Sequence, residues 1–203
     1  MSVEPGSVRP GGRTARVRAA VLDAAGDALA EHGFAQLDLA DVARRADVGK
    51  TTVYRRWGTV PNLVADLLLD MAEQSVSRAD TGTLLGDLTA NAHLVQRTLT
   101  DPRQGPLFKA IIAAAISDPR TARALRHFYD TRINEWAPCV ALAIDRGEVP
   151  ADTDPHEVIR AVSAPLYYRL LVTGEDLDEA AADRAARAAA TAARAGTYDR
   201  PTA

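Results

Sequence analysis

The chain has 203 residues, 47% of them hydrophobic and 25% charged, with a formal net charge of −3. That balance suits a soluble globular protein and excludes a chain coated in positive potential. No apolar run approaches the roughly 20 residues needed to span a bilayer, and the single cysteine, Cys139, rules out an internal disulfide.

Residues 1–12, MSVEPGSVRPGG, are rich in Gly, Pro and Ser and carry no apolar stretch, so they are expected to form a disordered arm rather than a secretory signal. From Arg13 to about His32, Val17, Ala20, Val21, Ala24, Ala28 and Leu29 recur at the spacing of one helical face. Gly33 suits the left-handed position that ends a helix. Asp38 then caps a short helix over about 39–46, and a second short helix runs from about Lys50 to Trp57. Thr59 caps the next, with Pro61 tolerated in its first turn, and Leu63, Val64, Leu67, Leu68 and Met71 facing inward as far as about Arg78. Further helices are predicted at about 83–99, 105–117, 119–146, 154–173 and 177–195, separated by Gly82, Asp101-Pro102, Asp118-Pro119, Gly147 with Pro150, and Gly174. No segment alternates with period two between hairpin turns, and no internal repeat is visible. The expected fold is all-α: a helix-turn-helix unit over 13–58 joined to a helical body over 59–196, with a flexible tail at 197–203.

Charge is uneven along the chain. Residues 1–60 hold nine basic and seven acidic side chains, whereas 61–203 hold fifteen and twenty. A mildly basic head on an acidic body suits a protein that presents one end to a polyanion.

The informative stretch is GFAQLDLADVARRADVGKTTVYRRW, residues 33–57. A helix-turn-helix needs a small residue where its helices cross, here Ala43. Four positions on, the chain must turn sharply, and Asp47 is among the few non-glycine residues that tolerate a left-handed backbone. Val53, with Val42 and Leu39, supplies the apolar face between the two helices. Lys50, Thr51, Thr52, Tyr54, Arg55 and Arg56 are thereby left mostly outward, as reading of the major groove requires. The alternative is an ordinary helical hairpin with a solvated basic face.

Residues 13–70, including Gly33-Phe34 and VGKTTVYRRW ahead of an apolar helix, resemble the N-terminal domain of TetR-family regulators. RGEVPADTDPHEV (146–158) and PLYYRLLVTG (165–174) resemble the body of one branch of that family. The resemblance implies a cytoplasmic, sequence-specific regulator, with repression as the default, acting on a palindromic double-stranded DNA operator. It implies that Lys50, Thr51 and Thr52 approach base edges or nearby phosphates, and that Tyr54 and Arg55 contact phosphates. Arg44 would reach a base or phosphate, Arg45 a phosphate, and Arg9, Arg13, Arg16 and Arg18 the backbone beside the arm. Trp57 is expected in the core. The sequence departs from the family pattern with Asp47 where glycine is frequent, Gly49 where serine caps the recognition helix, Asp38 where a hydroxyl residue is common, and Val60 where a lysine is common.

The family also implies a homodimer through the last two helices, about 154–173 and 177–195, and an unidentified small-molecule effector within the body. Val158, Ile159, Val162, Leu166 and Leu170 on one helix, with Ala181, Ala185, Ala188 and Ala192 on the other, permit the dimer. Among Phe108, Ile111, Ile112, Phe128, Trp136, Tyr167 and Tyr168, the residues expected to line a pocket are Phe108 and Trp136, with His93 and His127 as polar candidates.

Two other functions compete. An enzyme built on the helical body finds no support: His32, His93, His127 and His156 have no metal-ligand spacing, Cys139 has no activating cation nearby, and no Gly-rich phosphate loop is present. No catalytic, metal or cofactor residue is therefore assigned. A binding or scaffold protein whose head no longer engages DNA is the second.

Overall fold

The computed structural model describes residues 11–74 and 78–199, and among these it is built of α-helices without a named strand. In chain order they are α1 (Gly11–His32), α2 (Leu39–Arg45), α3 (Lys50–Trp57), α4 (Val60–Glu73), α5 (Leu84–Thr100), α6 (Gln104–Ser117), α7 (Pro119–Asp145), α8 (Pro155–Tyr168) and α9 (Glu179–Arg194). A 3-10 turn at Phe34–Gln36 leads into α2, and a π turn at Arg169–Thr173 extends α8.

The helix starts follow from local chemistry. The first backbone N–H groups of a helix lack intrahelical partners, and a short side-chain oxygen supplies one. Asp38 accepts from the Asp41 N–H, Thr59 from Asn62, Thr83 from Gly86, Asp118 from Thr121, and Asp178 from Ala181. Asp154 accepts from both His156 and Glu157. Removing any one of these caps is worth about 1 kcal/mol.

Several elements differ from the sequence expectation. α1 begins two residues early, at Gly11, in a first turn where glycine forfeits no intrahelical bond. The expected arm at 1–10 lies outside the described residues. Gly33 has φ 73° and ψ 176°, which is not left-handed helical but a region nearly closed to residues with a Cβ. α4 ends at Glu73 rather than near Arg78, with Gln74 as C-cap. The helix expected over 154–173 changes character at its end: Pro165 removes a backbone donor, and the Gly174 N–H reaches the Arg169 carbonyl five residues back. Thr197–Asp199, expected in a flexible tail, are held down. The Tyr198 carbonyl accepts from the Asp154 N–H at 2.6 Å, Thr153 pairs with Asp199, and the Tyr198 ring packs against the core.

α1, α2 and α3 form the head. α4 is shared: it packs on α1 and α3 on one side and on α7 on the other. The body is a bundle in which α5 lies against α8 and α9, and α7 against α4, α6 and α8. α1 also packs on α6, and Arg103 at the start of α6 reinforces this by pairing with Asp27 and donating to the Asp23 carbonyl at 3.0 Å. Ala181, Ala182, Ala185, Ala186, Ala189, Ala190 and Ala193 of α9 are all buried, so a methyl-lined face lets this helix lie close to α5 and α8. His93 to Asp183 at 2.8 Å and Gln96 to the Leu177 carbonyl at 2.8 Å fix α5 against it.

Candidate nucleic-acid interface

The turn between α2 and α3 decides how the second helix is presented. Asp47 has φ 51°, the one positive φ at a non-glycine residue among those described. Its N–H bonds the Arg44 carbonyl at 3.3 Å, while the Val48 N–H bonds the Ala43 carbonyl at 2.9 Å. This pair of bonds is the Schellman closure, which satisfies orphan carbonyls and turns the chain sharply. Ala43, Val42 and Leu39 are buried on α2, and Val53 and Trp57 are buried on α3. With that face used, Lys50, Thr51, Tyr54, Arg55 and Arg56 are exposed and Thr52 is half-buried.

The far end of α3 is anchored. The Trp57 indole N–H donates to Asp66 Oδ2 at 2.9 Å, and Asn62 Nδ2 donates to the Trp57 carbonyl at 2.7 Å. Asp66 also accepts from Arg18 of α1 at 2.8 Å, and Arg18 reaches Asp70 as well. Burial opposes ionisation of Asp66, but the bonds from Arg18 and Trp57 outweigh it and hold the carboxyl below its usual range. Asn62 in turn accepts from Arg120 at 2.7 Å at the start of α7. The recognition helix is thus tied to α1, α4 and α7 through polar side chains.

Electrostatics separate the two helices of the motif. On α2, Arg44 pairs with Asp41 at 2.5 Å. Arg45 pairs with Asp41 at 2.7 Å and Glu31 at 2.8 Å and meets the His32 ring at 3.0 Å. The two guanidiniums hold the Asp41 carboxyl below its ordinary range. On α3, Lys50, Arg55 and Arg56 form no ion pair with the described residues, and Arg56 lies 5.1 Å from the Trp57 ring centre. The uncommitted positive charge therefore sits on α3. Arg44 keeps most of its surface open, whereas Arg45, expected to meet a phosphate, is occupied within the head. Arg18, expected beside the DNA backbone, is instead the α1–α4 clamp. Arg13 and Arg16 are exposed, and Arg9 lies outside the described residues.

Two sequence profiles match the chain. That of bacterial regulatory proteins of the tetR family covers residues 21–66, and that of the tetracyclin repressor-like C-terminal domain covers 78–189. The chain belongs to the TetR family of transcriptional regulators. It is 32% identical to the HTH-type transcriptional regulator AqdR of Rhodococcus erythropolis, over 81% of this chain and 79% of that one. It is 30% identical to the DNA-binding transcriptional repressor TetR of Mycobacteroides abscessus, over 80% and 85%. The solved structure of the TetR-family regulator SCO0332 superposes with a TM-score of 0.69 at 29% identity, covering 87% of this chain and 97% of that one. The protein is thus a DNA-binding regulator rather than an enzyme, and no helix among the described residues is long and apolar enough to cross a membrane.

In this regulator the body holds a partly open cavity of about 670 Å³ between α4, α5, α6, α7 and α8. Phe108 and Trp136 are both in its lining. The histidines are not: His93 is engaged by Asp183, and His127 is exposed on α7 away from the lining. Sequence reading did not single out Asn91, Tyr129 or Arg132, which also form the wall. Arg132 donates to the Met71 carbonyl at 2.9 Å and lies 5.2 Å from the Phe128 ring centre.

The dimer candidates divide differently from the expectation. Val158, Ile159, Val162, Leu166, Ala181 and Ala185 are buried within the subunit. Tyr168 of α8, Val172 of the π turn, and Ala188 and Thr191 of α9 are exposed, while Ala164 and Leu171 are exposed toward the cavity they line. The apolar period was visible in sequence, but which of two apolar stripes faces a partner depends on packing with α5.

Proposed function

We propose that the protein is a ligand-responsive repressor that binds a palindromic operator as a homodimer in the cytoplasm. The observation that carries this reading is the outward face of α3, whose Lys50, Arg55 and Arg56 have no acidic partner among the described residues, on a chain of net charge −3. Lys50, Thr51 and Thr52 lie at the end of α3 that enters the major groove, where they meet base edges or adjoining phosphates. Tyr54 and Arg55 meet phosphates, which position the head without reading sequence. Arg44 reaches the backbone from α2.

One head offers few contacts, so two heads related by twofold symmetry are required for useful specificity. Tyr168, 57% exposed, and Val172, 66% exposed, supply apolar surface for the partner's α8 and α9. The named repressor activity of the Mycobacteroides abscessus relative supports the same direction of control.

The effector response follows from α4. At one end Met71 meets Arg132 in the cavity wall; between about one and a half and two and a half turns away, Asp66 and Asn62 hold Trp57. A ligand that displaces Arg132 shifts the rod on which α3 is mounted.

Selection of bound duplexes from a random pool tests the proposal. The expected product is a twofold-symmetric site with half-sites one helical turn, or a multiple of it, apart. Enrichment of asymmetric single sites, or of none, overturns it.

A further inference from the structure

The cavity described above is walled mainly by apolar and aromatic side chains, with Gln74, Thr98, Gln104 and Ser163 among its polar ones. Phe108 and Phe128 lie 5.6 Å apart and tilted by 48°, Phe128 and Tyr129 lie 5.3 Å apart edge to face, and Tyr129 and Tyr167 lie 5.6 Å apart at 89°. These four rings run tilted and edge to face, the arrangement that aromatic quadrupoles favour, and Trp136 also lines the cavity. An aromatic guest continues that pattern, whereas a flexible aliphatic one fills the space without it.

Within this wall, Asn91 of α5 is 4% exposed, and its Oδ1 finds no hydrogen-bond partner among the described residues. The Tyr129 hydroxyl on α7 is also buried, without a partner at full hydrogen-bond geometry but close enough to the Tyr167 hydroxyl for each to perturb the other. Buried polar atoms are nearly always paired, and each unpaired one destabilises the ligand-free protein. Burial pushes the Tyr129 and Tyr167 hydroxyls well above their ordinary range, so both remain protonated donors.

Charge is confined to the rim or already committed. Arg126, Asp130 and Arg160 are exposed, and Arg160 pairs with Glu157 at 2.6 Å. Arg132 is held by the Met71 carbonyl and pairs with Glu135 at 3.3 Å. An ionised ligand entering this cavity would lose water and would gain a counter-charge only by drawing Arg132 away from Glu135 and the Met71 carbonyl, which is unfavourable.

We infer that the cavity takes a neutral aromatic ligand bearing a hydroxyl or comparable donor–acceptor group, with Asn91 Oδ1 accepting from it and the Tyr129 hydroxyl donating to it. This rests on the effector reading above and adds the chemistry of the ligand. Binding and DNA release are measured separately so that the two stand or fall independently.

Calorimetric titration of the full-length protein at pH 7 with 2-naphthol, naphthalene and 2-naphthoate tests it. 2-Naphthol is expected to bind about five- to tenfold more tightly than naphthalene, the worth of one to two satisfied hydrogen bonds, and 2-naphthoate more weakly than 2-naphthol. Asn91→Leu and Tyr129→Phe are close in shape to the residues they replace. Each is expected to erode the preference for 2-naphthol over naphthalene while raising the melting temperature of the ligand-free protein. The inference is overturned if 2-naphthoate binds tightest, if the double variant keeps the full preference, or if 2-naphthol shows no saturable binding to the folded protein. Should 2-naphthol bind as expected yet leave operator affinity unchanged, the ligand chemistry stands and the effector reading fails.

Discussion

The Trp57 indole donates to Asp66, so the last residue of the recognition helix is hydrogen-bonded to the helix that joins head and body. Because Arg18 binds the same carboxylate, three helices meet at one ionised group. Replacing Asp66 with Ala removes charged hydrogen bonds and leaves Arg18 half-buried. Loss of about 2–3 kcal/mol of stability is expected in urea unfolding, with weaker DNA binding as a consequence.

The same carboxylate sets an acid limit. Asp66 titrates below the ordinary aspartate value of about 3.9, so its contribution is present above that value and is lost as pH falls through the lowered one. The difference in stability between wild type and Asp66→Asn is expected to be constant near neutrality and to shrink below about pH 4. Melting temperatures measured from pH 7 to pH 3 read this directly.

Asp47 adopts a backbone conformation that costs an L-residue roughly 1–2 kcal/mol and glycine almost nothing. Asp47→Gly is therefore expected to raise stability by up to about 1 kcal/mol, less what the unfolded chain gains in freedom, and to keep DNA binding. Asp47→Val, β-branched at positive φ, is expected to lower both. Chemical unfolding and duplex titration of the pair check the sign.

A charge placed on the outward face of α8 or α9 separates association from folding. Tyr168→Arg and Ala188→Glu alter exposed positions and are expected to yield folded monomers in sedimentation at micromolar concentration. Val162→Arg buries a charge inside the subunit and is expected to unfold it.

Lys50→Ala and Thr52→Ala bear on base reading. Each is expected to change the preferred base at one position per half-site, by about 1–3 kcal/mol where the contact is direct. Repeated duplex selection with each variant shows whether the preference moves.

What was legible in the sequence was local. Asp38 and Thr59 announce helix starts because a cap acts within three residues; Thr83, Asp118 and Asp178 cap in the same way, but sequence reading did not single them out as caps. Ala43, Asp47 and Val53 announce the turn because their offsets are short and their physical requirements few. Phe108 and Trp136 line the cavity, but so many apolar residues share their period that the choice had little behind it. What escaped reading was set at long range. Arg18 meets Asp66 across 48 residues and Arg45 meets Glu31 across 14, and nothing in either neighbourhood distinguishes a committed arginine from an open one. The unpaired state of Asn91 is likewise a property of the packed bundle. Pro165 was not read as a disturbance of α8, and the π turn that follows it was missed.

On the proposed reading, open positive charge, on α3 and at Arg44, meets the duplex, whereas the committed Arg45 of α2 does not. The measurement that bears on it most directly is the salt dependence of operator binding by wild type, Arg55→Ala and Arg45→Ala. Arg55→Ala is expected to reduce the slope of log K against log salt by about 0.9, and Arg45→Ala to leave it unchanged while lowering stability. An unchanged slope for Arg55→Ala, with a reduced one for Arg45→Ala, would contradict it.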